Sequence, residues 1–267
     1  MKLKDTKLII GILTCPKSVD RKRAVLNAWA NKIPPDVRHH FIYGKNYQQL
    51  CDCHTFSDIH VDVPEAYEML AIKMYEYIKY CVDTYEFDYI VKVDDDSYVD
   101  VNKLLEYDVE GDYLGKECKS GGGGKSLSYH IGNCTDDVFN RPIVKSHKDG
   151  VYKFCAGGGY ILSKRACLVI LNSINRQKLD QYHEDYKSGD PLGHFGFAED
   201  RTIGSLLHDS NISPKETGLW SGTKLTSREI PLFCSFNNSI YHPIDAQLMD
   251  RLRTPQLAQY HIGAHST

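Results

Sequence analysis

The stretch Tyr89-Ile90-Val91-Lys92-Val93-Asp94-Asp95-Asp96-Ser97-Tyr98-Val99 constrains this chain more than any other. Its apolar, β-branched first half reads as a buried strand, and the run stops abruptly in three carboxylates. Adjacent like charges at a strand end repel one another and lose solvation. A divalent cation offsets both costs, and hard cations take oxygen ligands. The alternative is a solvated acidic turn that caps the next helix. Position favours the cation: the strand reads as central, and open α/β sheets bind ligands at the carboxyl ends of their strands. An EF-hand loop is excluded, because Tyr98 and Val99 stand where an oxygen ligand and the turn glycine belong. A metal–diphosphate site is the expectation.

Around this stretch, strands alternate with helices. Leu8 to Cys15 reads as a first strand, and Arg21 to Asn31 as a helix carrying Trp29, broken by Pro34-Pro35. His39 to Tyr43, ending at Gly44, and Ile59 to Val63 read as the next strands. In Glu65 to Glu86, residues Tyr67, Leu70, Ala71, Met74, Tyr75, Ile78, Cys81 and Val82 recur at helical spacing. Lys73, Glu76 and Lys79 lie off that stripe. A short helix near Val101 to Tyr107 follows the carboxylates. The alternation predicts an α/β fold with a largely parallel sheet in the first half.

The second half is less regular. Lys119 to Ser126 (KSGGGGKS) imitates a phosphate loop, but the motif needs glycine where Lys119 stands, so it reads as surface loop. Residues 127 to 150 lack periodicity and read as loop covering the site. Gly157-Gly158-Gly159 before Tyr160-Ile161-Leu162-Ser163 suggests backbone approaching a ligand, or equally a bulge or tight turn. Lys164 to Ile174 reads as a helix. Glu199-Asp200 opens another through Ile203, Leu206 and Leu207, where acidic residues can simply complement the helix dipole. The last fifty residues, with Tyr241-His242-Pro243, read as loops and short strands.

Composition excludes more than it selects. With 267 residues there is room for one large or two small domains. A net charge of -3 gives no support to a nucleic-acid surface. No run approaches the roughly 20 apolar residues of a membrane span. The run Leu8 to Leu13 is short for a signal peptide, and no small-residue cleavage site follows it. Nine cysteines, an odd number without regular spacing, do not imply a complete disulfide framework. Cys51-Asp52-Cys53-His54 lacks a second ligand pair at zinc-site spacing.

Taken together, the blocks from about Leu8 to His242 resemble glycosyltransferase family 31, the inverting β-1,3-galactosyltransferases, β-1,3-N-acetylglucosaminyltransferases and Fringe proteins. Arg21 and Trp29 resemble its arginine-to-tryptophan spacing, with Ala28 in place of the usual threonine. Phe41-Ile42-Tyr43-Gly44 is similar to its second-strand block. Tyr67, Leu70 and Lys73 match its tyrosine-x-asparagine-leucine-x-x-lysine helix, with Met69 departing at the asparagine. Lys92 to Val99 resembles its metal motif, Ala156 to Ser163 its glycine-rich sugar-site strand, and Glu199-Asp200 with Ile203-Gly204 its acidic base motif.

The resemblance implies a GT-A-type nucleotide-sugar transferase fold, a mixed, mostly parallel central sheet flanked by helices. It implies a single catalytic domain over residues 1–267, with a nucleotide-sugar-binding half to about residue 118 and an acceptor and catalytic half from about 119. Thr14, Arg21, Lys73, Asp94, Asp95, Gly157 and Gly158 would bind the donor. Asp94, Asp96 and His242 would hold Mn²⁺, with Mg²⁺ as the alternative, and Asp200 would be the base. The expected partners are a UDP-sugar and a glycan or glycoconjugate acceptor, with no nucleic acid. The expected location is cytoplasmic, no signal or anchor being seen, or the Golgi lumen if the chain is a catalytic domain cut from a longer protein.

Chemistry leads the same way. A nucleotide-sugar donor leaves a diphosphate whose negative charge grows as the glycosidic bond breaks, and a divalent metal stabilises that charge. Asp96 is the leading direct ligand, with Asp94 binding directly or holding a metal-bound water or the ribose. The acceptor hydroxyl must lose its proton to a carboxylate on the face opposite the leaving group. One such displacement inverts the anomeric centre, giving a β product from an α-linked donor. Galactose from UDP-galactose, moved to a sugar hydroxyl in a β-1,3 linkage, is the expected reaction. The alternatives are another UDP-sugar, such as UDP-N-acetylglucosamine, a metal-dependent hydrolase, or a cation-dependent sugar-binding module.

Overall fold

The computed structural model describes residues 1–45, 58–119, 130–141, 152–189, 198–221, 240–241, 244 and 249. In chain order the elements are β1 (Leu8–Leu13), α1 (Val19–Ala28), β2 (Arg38–Lys45), β3 (Asp58–Pro64), α2 (Leu70–Thr84), β4 (Tyr89–Asp94), β5 (Tyr98–Val99) and α3 (Val101–Leu105). Then come β6 (Tyr113–Lys119), β7 (Lys153–Ser163), α4 (Lys164–Ser173), α5 (Arg176–Ser188), α6 (Glu199–His208), β8 (Lys215–Glu216), β9 (Trp220–Ser221) and β10 (Ile240–Tyr241).

Seven strands form one sheet in the order β3-β2-β1-β4-β7-β6-β8, and β5-β10-β9 form a small second sheet. The pairs from β3 to β4 are parallel, β4–β7 and β7–β6 are antiparallel, and β6–β8 is parallel again. This is the mixed, mostly parallel α/β arrangement expected from the sequence.

The central strands are apolar because both their faces are covered. Leu8, Ile10 and Ile12 of β1 join Val91 and Val93 of β4 and Ala24, Val25 and Trp29 on the α1 side. Ile9, Leu13 and Ile90 face the other way, into Ile72, Tyr77 and Ile78 of α2, Cys167 and Ile170 of α4, and Ile203 of α6. Each fully buried Val, Leu or Ile among them contributes about 1.5–3 kcal/mol. Lys73 lies off the apolar stripe of α2, yet it is fully buried.

One close approach sets up the site. A Cβ at Gly204 would lie 2.3 Å from Phe154 Cβ and 2.9 Å from its Cα, so α6 rests directly on the backbone of β7. The glycines expected to precede a strand are instead inside it, and the β6–β7 register shifts between Gly115 and Glu117.

The helix expected from Glu65 begins as a 3-10 turn, Tyr67–Met69, before α2. Of the stretch 127–150, residues 130–141 are described, with a 3-10 turn at Asp137–Phe139. Nearly all of the KSGGGGKS segment lies outside the described residues, as do Cys51 to His54. The described cysteines, Cys15, Cys81, Cys118, Cys134, Cys155 and Cys167, are all unbridged. No described helix is long and apolar enough to cross a membrane.

Candidate active site

The three carboxylates leave β4 in a tight turn that is gripped from four sides. Asp95 N donates to Leu13 O of β1 at 3.0 Å, and Ser97 N donates to Asp94 O at 3.1 Å. Trp29, just past the end of α1, donates its indole N–H to Ser97 O at 3.1 Å. Ser97 Oγ donates to Gly158 O of β7 at 2.8 Å. From far along the chain, Ile244 N donates to Asp96 O at 2.7 Å, and Ile240 and Tyr241 pair with Val99 and Tyr98. Arg21 reaches the same turn from the head of α1, 3.1 Å from Asp95 Oδ1 and 3.5 Å from Asp96 Oδ2. The arginine-to-tryptophan spacing therefore serves to clamp the acidic turn at two points.

The three aspartates do different work. Asp95 is buried, accepting from Thr14 Oγ1 at 2.8 Å and from Arg21. Burial raises its pKa, while Thr14 and Arg21 draw it back. Asp94 and Asp96 keep 30% and 20% of their side chains exposed, so their oxygens can meet a ligand. Lys73 joins the network from α2, donating to Thr14 O at 3.2 Å and forming a short ion pair with Glu65. Glu65 also accepts from Gly44 N at 2.6 Å. The expected donor-site residues Thr14, Arg21, Lys73, Asp94 and Asp95 thus gather at the carboxyl ends of β1, β2 and β4.

Lys92 is the hub of the other side. Buried on β4, it pairs across the strands with Tyr160, and its ammonium lies 5.5 Å from that ring's centre. Its Nζ is 2.7 Å from Asp94 Oδ1 and 3.3 Å from Glu199 Oε2, and it donates to Gly157 O. These carboxylates hold its pKa above the usual lysine value against the opposing effect of burial. Replacing one member of a buried ion pair costs about 3–5 kcal/mol, because it strands the partner charge. Lys92→Met is expected to lose stability in that range, read as the free energy of urea unfolding.

Glu199 and Asp200 open α6 and face different ways. Glu199 is buried, accepting from Tyr160 Oη and from Lys92. Burial pushes its carboxyl up to about 7, with Lys92 opposing. A carboxyl that holds its proton more tightly folded than unfolded adds stability at low pH, lost as pH rises through its folded pKa. Melting temperature should therefore fall between about pH 5 and 7 through this group, and Glu199→Gln should flatten that slope.

Asp200 is only partly buried, and its Oδ1 accepts from Arg201 N at 2.8 Å. Its Oδ2 would lie 3.5 Å from a Cβ at Gly157, in van der Waals contact, so the carboxylate sits directly beside the β7 glycines. Burial raises its pKa and Lys92 lowers it. A partly exposed carboxylate with a raised pKa suits a base better than Glu199, whose oxygens are already taken.

Metal binding can be judged from the donor set. Among the described residues no three His, Cys, Asp or Glu side chains form a ready-made metal cluster. Asp94 and Asp96 supply two carboxylates, the donor type a hard cation takes, and fit one whose other positions are filled by ligand or water oxygens. His242 lies outside the described residues.

A family model described as Galactosyltransferase matches residues 20–189. The chain belongs to this galactosyltransferase family. The galactosyltransferase match takes in Arg21, Lys73, the acidic turn and the β7 glycines, and ends before α6. Among solved structures, the apo-form glycosyltransferase GlyE of Streptococcus pneumoniae TIGR4 is 11% identical, with a TM-score of 0.46 over 95% of this chain and 61% of that one. The chain thus spans less than two thirds of GlyE's length. The galactosyltransferase LgtC, solved with donor and acceptor sugar analogs, is 11% identical, with a TM-score of 0.44 over 92% of this chain and 95% of that one. No curated protein matches the chain significantly.

Sequence reasoning singled out neither Lys92 nor Tyr160 as a site residue. The signal for Lys92 was present, since a lysine inside an apolar strand must find a buried counter-charge.

Proposed function

We propose that the protein transfers galactose from UDP-galactose to a sugar hydroxyl, inverting the anomeric centre to give a β product, with β-1,3 as the linkage. The observation that carries the reading is the Lys92 bridge: one buried ammonium ties Asp94 at the end of β4 to Gly157 and to the start of α6. It draws together a carboxylate suited to the leaving-group side and a base suited to the acceptor side. Family membership supports the transfer of galactose.

In this reading the chain to about residue 118 binds the donor and the rest supplies the acceptor side and the base. Asp94, Asp96 and His242 would hold Mn²⁺, with Mg²⁺ as a substitute, and the ion would supply positive charge for the departing diphosphate. The placement of Tyr241 and Ile244 against the acidic turn supports His242 in this role. Arg21 steadies the turn and offers its exposed guanidinium edge to phosphate oxygens. Gly157 and Gly158, their carbonyls held by Lys92 and Ser97, leave room for the hexose. Asp200 takes the proton of the attacking hydroxyl.

The test is a turnover assay over a panel of UDP-, GDP- and ADP-sugars, with and without sugar acceptors. Transfer that requires both UDP-galactose and an acceptor supports the reading. Release of free sugar at the same rate without acceptor points to a hydrolase, and metal-dependent binding without turnover to a sugar-binding module.

A further inference from the structure

We propose that Tyr67 contacts the hexose being transferred, its phenol donating a hydrogen bond to a sugar hydroxyl, and that Glu68 is the positioning residue that holds it there. This rests on the donor reading above.

Tyr67 begins the 3-10 turn Tyr67–Met69 at the head of α2. Its ring packs on a cluster of Cys134, Phe139, Tyr186 and Ala198, and Ala198 is the residue from which α6 starts. The ring therefore stands beside the helix end that carries Asp200. Its side chain is partly exposed, and its hydroxyl makes no hydrogen bond to another described residue. Burial and the charges of Asp94 and Asp200 push the phenol up to about 12, so it is a neutral donor at physiological pH.

In an in-line displacement the leaving diphosphate and the attacking hydroxyl lie on opposite sides of the anomeric carbon. With Asp94 on the first side and Asp200 on the second, the hexose lies between them. The phenol, its ring packed on the cluster that includes Ala198 at the start of α6, flanks that hexose. Among the described residues no other group competes with a carbohydrate hydroxyl for it.

Glu68 fixes the wall behind this ring. It is buried, and its two oxygens accept from Asp136 N and Thr135 N, each at 3.0 Å. The segment 130–141 so held is also braced internally. His130 Nε2 is 2.8 Å from Arg141 O, and Asn140 Oδ1 accepts from Gly132 N at 2.8 Å and from Cys134 N at 3.2 Å. Stacking of Phe139 on Tyr186, with ring centres 5.0 Å apart, docks it on α5. Tyr67 thus leans on a preassembled surface, so little ordering cost falls on sugar binding.

Calorimetric titration with Mn²⁺ present separates sugar contact from nucleotide contact, with UDP and UDP-galactose as probes. Tyr67→Phe keeps the packed ring and removes the donor. It should weaken UDP-galactose about 3- to 10-fold and change UDP by less than about twofold. Glu68→Gln should weaken UDP-galactose in the same selective way, because one carboxylate oxygen becomes a donor facing a backbone N–H. Unchanged UDP-galactose affinity in Tyr67→Phe overturns the inference, and so does equal weakening of both ligands, which marks a structural role. If Glu68→Gln fails to fold, Tyr67→Phe decides alone. A wild-type protein that binds neither UDP nor UDP-galactose overturns the donor reading itself, and the inference with it.

Discussion

Asp200→Asn is expected to lower sugar transfer by about 10²- to 10⁴-fold, the usual contribution of a general base. UDP and metal binding should barely change. The side chain keeps its size, and its remaining carbonyl oxygen can still accept from Arg201 N, as Oδ1 does now. What is lost is the ability to take a proton on the side facing Gly157. Rates are read as initial velocities with UDP-galactose and acceptor, and binding by calorimetry with UDP. Near wild-type transfer would reduce Asp200 to a group that complements the helix dipole. Glu199 is poorly placed to inherit the role, because Tyr160 and Lys92 already occupy its oxygens.

Loss of the metal is expected to have an effect of similar size. Positive charge at a departing diphosphate is worth several kcal/mol, so chelation by EDTA should lower transfer by about 10²- to 10³-fold or more. Added Mn²⁺ should restore it, and full activity in chelator would remove the ion from the mechanism. Asp96→Ala should abolish Mn²⁺-dependent UDP binding and largely spare the fold, since this side chain is partly exposed at the surface of the turn. Asp95→Ala makes the contrast. It strips buried hydrogen bonds from Thr14 and Arg21 and should lower the unfolding temperature as well as binding.

Those two aspartates show how far a sequence can be read. That three carboxylates end a central strand was legible, because burial of a strand on both faces writes itself as an unbroken apolar run. Which carboxylate faces inward was not, since a turn's side-chain directions depend on what surrounds it. Here Thr14 from β1 and Arg21 from α1 decide the matter. The burial of Lys73 was not legible for a related reason: helical periodicity sorts apolar from polar positions and does not show a lysine buried on a polar network. Helix α5 and strand β6 escaped notice because their buried residues are few or polar. In α5 these are Leu179, His183 and Tyr186, a stripe that carries little hydrophobic contrast. The positions of Gly157, Gly158 and Asp200 were visible as motifs, but their common dependence on Lys92 needed three dimensions.

The small sheet gives the protein's biosynthesis a definite order. Val99 and Tyr98 find their partners in Ile240 and Tyr241, and Asp96 receives its bond from Ile244. Contacts so far apart along the chain close late, after the local units have formed. On a ribosome the large sheet's first four strands can assemble while the acidic turn still lacks its C-terminal partner. The nascent chain therefore carries its carboxylates without this brace until residues 240–244 have emerged. The last hold on the acidic turn is thus made only after residues 240–244 have been synthesised.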